Sequence, residues 1–216
     1  MAKFTDKIAV ITGGVQDTTM AMVKKFTEEG AKVAVLVKTE TDAATVKAAG
    51  AAAYVCDISV YDEVVAAFEK IKAEMGCVDI LVQNPNAACN KTLLDTTPEE
   101  WNAVLAENTH SLFYCAKQVF PDMKERKTGK VINFAAPEAY GCKENAAYAI
   151  TKAAAMGFHG SCARENEKYT VTANAVSPAG NATPEEVANL VALLASEEGR
   201  VLHGQIVTAT HSWVEA

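Results

Sequence analysis

Residues 6–37 read DKIAVITGGVQDTTMAMVKKFTEEGAKVAVLV, and the fold is decided here. Lys7–Gly13 is a nearly continuous apolar run that ends on glycine, the pattern of a strand covered on both faces. Thr18–Glu29 alternates apolar and charged residues with helical spacing, and Gly30 supplies a natural stop. A second β-rich run, Ala31–Val37, follows at once. The alternation then continues along the chain. AAYVCDI (52–58), VDILVQN (78–84), GKVINFAA (129–136), VTANAVS (171–177) and GQIVTAT (204–210) read as strands. Between them, residues 59–76 form a helix with Ser59 as N-cap candidate and Gly76 as its end. Thr97 and Pro98 stand at Ncap and N1 of a long helix that runs to Arg126. Such alternation builds a parallel, doubly wound α/β sheet flanked by helices.

The 216 residues, half of them hydrophobic, suffice for one domain spanning 1–216, and no linker divides them. A net charge of −7 argues against a nucleic-acid or anionic-membrane surface. No apolar run reaches membrane-spanning length, and the N-terminus lacks a secretory apolar segment. The six cysteines (56, 77, 89, 115, 142 and 162) show no CxxC pairing and read as free, mostly buried thiols. A reducing cytoplasm is the expected compartment. His110, His159, His203 and His211 have no ligand spacing. They read as surface or interface histidines, and no metal is expected.

In order and context, VITGG, CDIS, DILVQN, WNAVLAENTHSLF, GKVINFA, AAYAITKAAAMGF and ANAVSP resemble the short-chain dehydrogenase/reductases from about Asp6 to Val207. The resemblance implies a single Rossmann-type domain. In active members it also implies NAD(H) or NADP(H) and hydride transfer at an alcohol or carbonyl carbon.

The positions implied for the cofactor are degenerate. Of TGxxxGxG, Thr12 and Gly13 match, while Asp17 and Thr19 replace the two later glycines. Glycine there lets backbone approach a pyrophosphate and leaves the helix N-terminus open to anions. A carboxylate at Asp17, about 4 Å from a phosphate charge, is repulsive by roughly 4 kcal/mol at an effective dielectric near 20. The alternative is that Asp17 caps the helix and points away. At the end of the second strand Val37 stands where an acidic residue would hold ribose. Lys38 either faces a 2′-phosphate or is simply solvated. Asp57 matches the position that meets adenine. Asn84 survives from the family's NNAG, with Pro85 and Asn86 in place of small residues.

The catalytic positions are mixed. Tyr148 and Lys152 match YxxxK, with i, i+4 spacing on one helix face, and Asn108 matches the asparagine of the proton relay. The serine that holds the substrate oxygen is replaced by Ala136, or by Ala135 on the alternative count. Losing such a donor costs about two to three orders of magnitude in rate. Ala179 then replaces a glycine, the substrate-covering loop is absent, and THSWVEA replaces a glycine-rich ending. The segments that pair subunits in this family, 98–126, 146–168 and 184–207, look fully built. The expectation is a pseudoenzyme subunit with no cofactor of its own, paired in a heterotetramer with a homologous active subunit that carries NAD(H). The alternative is a weakly active NAD(P)(H)-dependent oxidoreductase using Tyr148, Lys152 and Asn108.

Overall fold

A computed structural model describes residues 2–211. Seven parallel strands form one sheet: β1 (Ile8–Thr12), β2 (Lys32–Val37), β3 (Ala52–Val55), β4 (Ile80–Gln83), β5 (Gly129–Phe134), β6 (Val171–Pro178) and β7 (Ile206–Ala209). Their spatial order is β3-β2-β1-β4-β5-β6-β7, so the strand order reverses between β1 and β4. Open α/β sheets bind ligands at such a reversal, outside the carboxyl ends of the strands. All seven runs marked in the sequence are strands; β1, β2, β4, β5 and β6 are buried almost throughout, whereas the outer strands β3 and β7 are partly exposed.

Helices α1 (Asp17–Glu28), α2 (Glu40–Ala48) and α7 (Pro184–Ala195) alternate across the sheet with α3 (Tyr61–Glu74), α4 (Pro98–Leu105), α5 (Ser111–Arg126) and α6 (Ala146–Asn166). One core packs Ile11, Met22, Phe26 and Ile132 with Val191 and Leu194. The other packs Val10, Phe68, Leu81, Met123 and Val131 on the opposite face. Thr97 caps α4 with a full capping box and Pro98 at its first turn, as the sequence indicates.

Two expectations change. Ser59 does not cap α3. The N-cap is Val60, without a side-chain bond, because the Ser59 hydroxyl and amide are both drawn to Asp57 Oδ1, at 2.6 and 3.0 Å. The single long helix from Pro98 is interrupted by a π turn, Ala106–His110, which carries Asn108. The expected shortening after β6 is present: residues 179–183 alone join Pro178 to α7. Of the terminal THSWVEA stretch, residues 212–216 lie outside the described residues.

Candidate functional site

The loop after β1 keeps its glycine for a reason internal to the fold. Gly13 has φ +112°, and a Cβ there would collide with the Asn84 carbonyl oxygen after β4. Glycine is the residue that permits both the angle and the approach. Gln16, which no motif marks, folds its carboxamide back over this loop and donates to the Gly13 carbonyl at 2.7 Å. Gln16 is also the N-cap of α1, without a side-chain cap bond. Asp17 follows it as an exposed first-turn residue, so the alternative of an Asp17 side-chain cap fails. Thr19 is fully buried and accepts from Asn84 Nδ2 at 3.3 Å. Its side chain therefore fills the joint between α1 and the end of β4, where the family has glycine. Thr12 is buried beside them.

At the neighbouring strand ends Val37 is buried. Lys38 is neither solvated alone nor left open: Nζ lies 2.9 Å from Asp57 Oδ2 and 3.7 Å from Glu107 Oε2. The Asp57 hydrogen bond holds the Lys38 ammonium above its usual range. Burial pulls Asp57 upward, but the bonds from Ser59 and Lys38 outweigh it and hold the carboxyl below its usual range.

The three matched catalytic residues converge on the segment after Asn84. Tyr148 Oη donates to Asn86 Oδ1 at 2.9 Å, and Lys152 Nζ donates to the Pro85 carbonyl at 2.8 Å. The Asn108 carboxamide pairs with both backbone groups of Ala87, each at 2.8 Å, and reaches Thr151 Oγ1 at 3.1 Å. Tyr148 and Lys152 do share one face of α6, but the ammonium lies over the phenol ring, 5.1 Å from its centroid. Burial pushes the Lys152 ammonium down to about 8, against the pull of Glu138. Burial, aided by Glu138 and Cys142, pushes the Tyr148 phenol up to about 12. A general acid/base is most effective with a pKa near the working pH, and both shifts run against that for a tyrosine. Ala135 and Ala136 are buried and bring no hydroxyl.

A cleft of about 340 Å³ opens between these groups, with Gln16, Asn86, Glu138, Tyr148, Lys152 and Gly180 in its wall. Ala179 is tied to β7 through a 2.9 Å bond to the Ala209 carbonyl. Glu138 and Gln16 carry no signal in sequence: Gln16 acts through a local bond to Gly13 that no motif marks, and Glu138 through the charge it sets near Tyr148 and Lys152.

Cysteines and histidines differ in part from expectation. Cys56, Cys115 and Cys162 are buried, whereas Cys77, Cys89 and Cys142 are half-buried. His159 is a core residue, and His203 bonds to the Ala163 carbonyl and to the Ala173 amide. Among the described residues no group of histidines, cysteines and carboxylates could hold a metal, and no helix is long and apolar enough to cross a membrane.

The family model described as short chain dehydrogenase matches residues 7–190. An acetoacetyl-CoA reductase of Shinella zoogloeoides is 28% identical over 232 aligned residues, covering 94% of this chain and 96% of the relative. A 3-oxoacyl-[acyl-carrier-protein] reductase FabG of Escherichia coli K12 is 29% identical, covering 94% and 95%. An acetoacetyl-CoA reductase of Synechocystis is 35% identical over 176 residues, covering 80% and 71%.

Proposed function

The chain belongs to the short-chain dehydrogenase/reductase family, and we propose that within it this is a non-catalytic subunit. It keeps the reductase fold and supports a homologous, active NAD-dependent alcohol dehydrogenase subunit in a heterotetramer. The observation that carries the reading is the internal use of Tyr148 and Lys152. Asn86 and the Pro85 carbonyl take the bonds that a substrate and a cofactor ribose would need, while Ala136 leaves the substrate oxygen without its donor.

The residues present do not fit a dinucleotide. Thr19 fills the joint where backbone would have to yield, the Gln16 carboxamide lies in the loop, and both oxygens of Asp57 are engaged. NAD(H) therefore belongs to the active partner.

Support for the partner comes from the outer face of α5 and α6. A groove of about 420 Å³ between them is lined by Phe113, Phe120 and Phe158. Phe113 and Ile150 are 52% and 49% exposed, and Gly157 faces open space, which admits close helix approach. A related subunit of the same shape can occupy an isologous helix interface.

The finer identity attached to this reading is the non-catalytic subunit of 2-[hydroxy(phenyl)methyl]succinyl-CoA dehydrogenase, from anaerobic toluene degradation, which the shortened, degenerate chain resembles. Relatives named for acyl-CoA and acyl-carrier thioesters agree with a partner that acts on a CoA thioester. A cytoplasmic site goes with it.

The retained Tyr148, Lys152 and Asn108 beside an open cleft favour one other reading, a weakly active NAD(P)(H)-dependent oxidoreductase acting on a secondary alcohol or ketone. Affinity purification of the tagged chain from cells, followed by identification of bound proteins, separates the two. Recovery of a full-length reductase in equal amount supports the subunit reading, and a lone chain that turns over NADH or NADPH supports the other.

A further inference from the structure

We propose that Lys38 is a built-in occupant of the nucleoside end of the crevice, its ammonium taking the contacts an adenosine group would need. The inference rests on the reading that this chain carries no dinucleotide, and it names the residue that enforces this at the end remote from Thr19.

Lys38 directly follows β2, Asp57 lies just beyond β3, and Glu107 sits in the π turn of the connection that follows β4. In the strand order β3-β2-β1-β4, a side chain joining these groups stretches across the carboxyl ends of the strands beside the reversal point. Ligands of open α/β sheets lie there. With the 2.9 Å bond to Asp57 Oδ2, both oxygens of that carboxylate are engaged, because Oδ1 already accepts from the Ser59 amide and hydroxyl. Glu107, at 3.7 Å, closes the bridge from the other side.

The same geometry disfavours Lys38 as a phosphate ligand. Two carboxylates bracket one ammonium, so an incoming 2′-phosphate meets net negative charge. The raised Lys38 and lowered Asp57 pKa values keep both ends of the pair charged at neutral pH.

The test is the sign of the effect of Lys38→Ala on two probes, adenosine and 2′-AMP, with affinities taken from NMR saturation-transfer competition. Adenosine carries no charge, so the carboxylates left behind do not repel it. The Lys38 side chain is 59% exposed, and breaking a partly exposed ion pair costs up to about 1 kcal/mol, so adenosine should bind up to about fivefold tighter to the variant. The unsubstituted protein should show no preference for 2′-AMP. Equal adenosine affinities would overturn the proposal. So would 2′-AMP binding by the unsubstituted protein that Lys38→Ala abolishes, since Lys38 would then be a ligand. Thermal unfolding of the variant within a few degrees of the parent confirms that the fold is kept. Lys38→Ala should still retain the active partner. Loss of the partner from both proteins contradicts the subunit reading and leaves the adenosine comparison to decide this one.

Discussion

The Tyr148 hydroxyl donates to the Asn86 side-chain oxygen across 2.9 Å, and one helical turn later Lys152 donates to the carbonyl of Pro85. Two residues that elsewhere in the family serve chemistry here fasten α6 to the segment after β4. On the proposed reading, that fastening accounts for their retention.

Tyr148→Phe should therefore act on stability. Loss of one hydrogen bond costs about 1 kcal/mol, read as a lower urea midpoint at unchanged slope. Turnover by the complex with the active subunit should be unchanged. A hundredfold loss of turnover in that complex would mean that Tyr148 is catalytic.

The pH dependence of stability tests the burial of Lys152. Its folded-state pKa is depressed to about 8 from an ordinary 10.5. Between those values the unfolded chain holds more protons than the folded one, so this group adds stability as pH rises. Below pH 8 the cost of burying the charged form is fully present. The stability of the unsubstituted protein relative to Lys152→Met should climb by about 2 kcal/mol between pH 8 and pH 10. A flat or falling difference across that window contradicts the assignment.

Gly13 and Gly14 should behave differently although they are neighbours with positive φ. Gly13→Ala meets the Asn84 carbonyl as well as an unfavourable φ, whereas Gly14→Ala faces open space at φ +71°. The Gly14 variant should lose about 1 kcal/mol from backbone strain alone. The Gly13 variant should lose at least twice that, with or without added nucleotide. Paired denaturation curves check the ratio.

The outer face of α6 should carry the association. Ile150→Glu places a charge on a half-exposed apolar position of the helix that also presents Gly157. It should abolish co-purification of the active subunit while shifting the unfolding free energy of the isolated chain by less than about 0.5 kcal/mol, as surface substitutions do. Full retention of the partner would move the interface elsewhere.

The inner strands were legible because parallel strands buried on both faces must be apolar throughout, and the run from Ile8 to Thr12 shows this in sequence. Thr97 and Pro98 were legible because a capping box is a local pattern. Ser59 was misread because its competitor, Asp57, has the stronger acceptor and lies only two residues away. The degeneracy at Asp17, Thr19 and Ala136 was visible as departures from a motif. The bonds made around these positions were not visible. Gln16 to Gly13 is a local bond with no motif, whereas Tyr148 to Asn86, Lys152 to Pro85 and Lys38 to Glu107 join positions about sixty or seventy residues apart. No sequence spacing encodes such pairings, which follow from the strand order.

Native mass spectrometry of the co-expressed complex, sprayed from a solution containing NADH, tests the central claim most directly, because it counts subunits and bound nucleotides together. The account predicts two copies of this chain, two copies of a homologous reductase, and dinucleotide bound in the number of the reductase copies alone. A homo-oligomer of this chain with one dinucleotide on every subunit would contradict it.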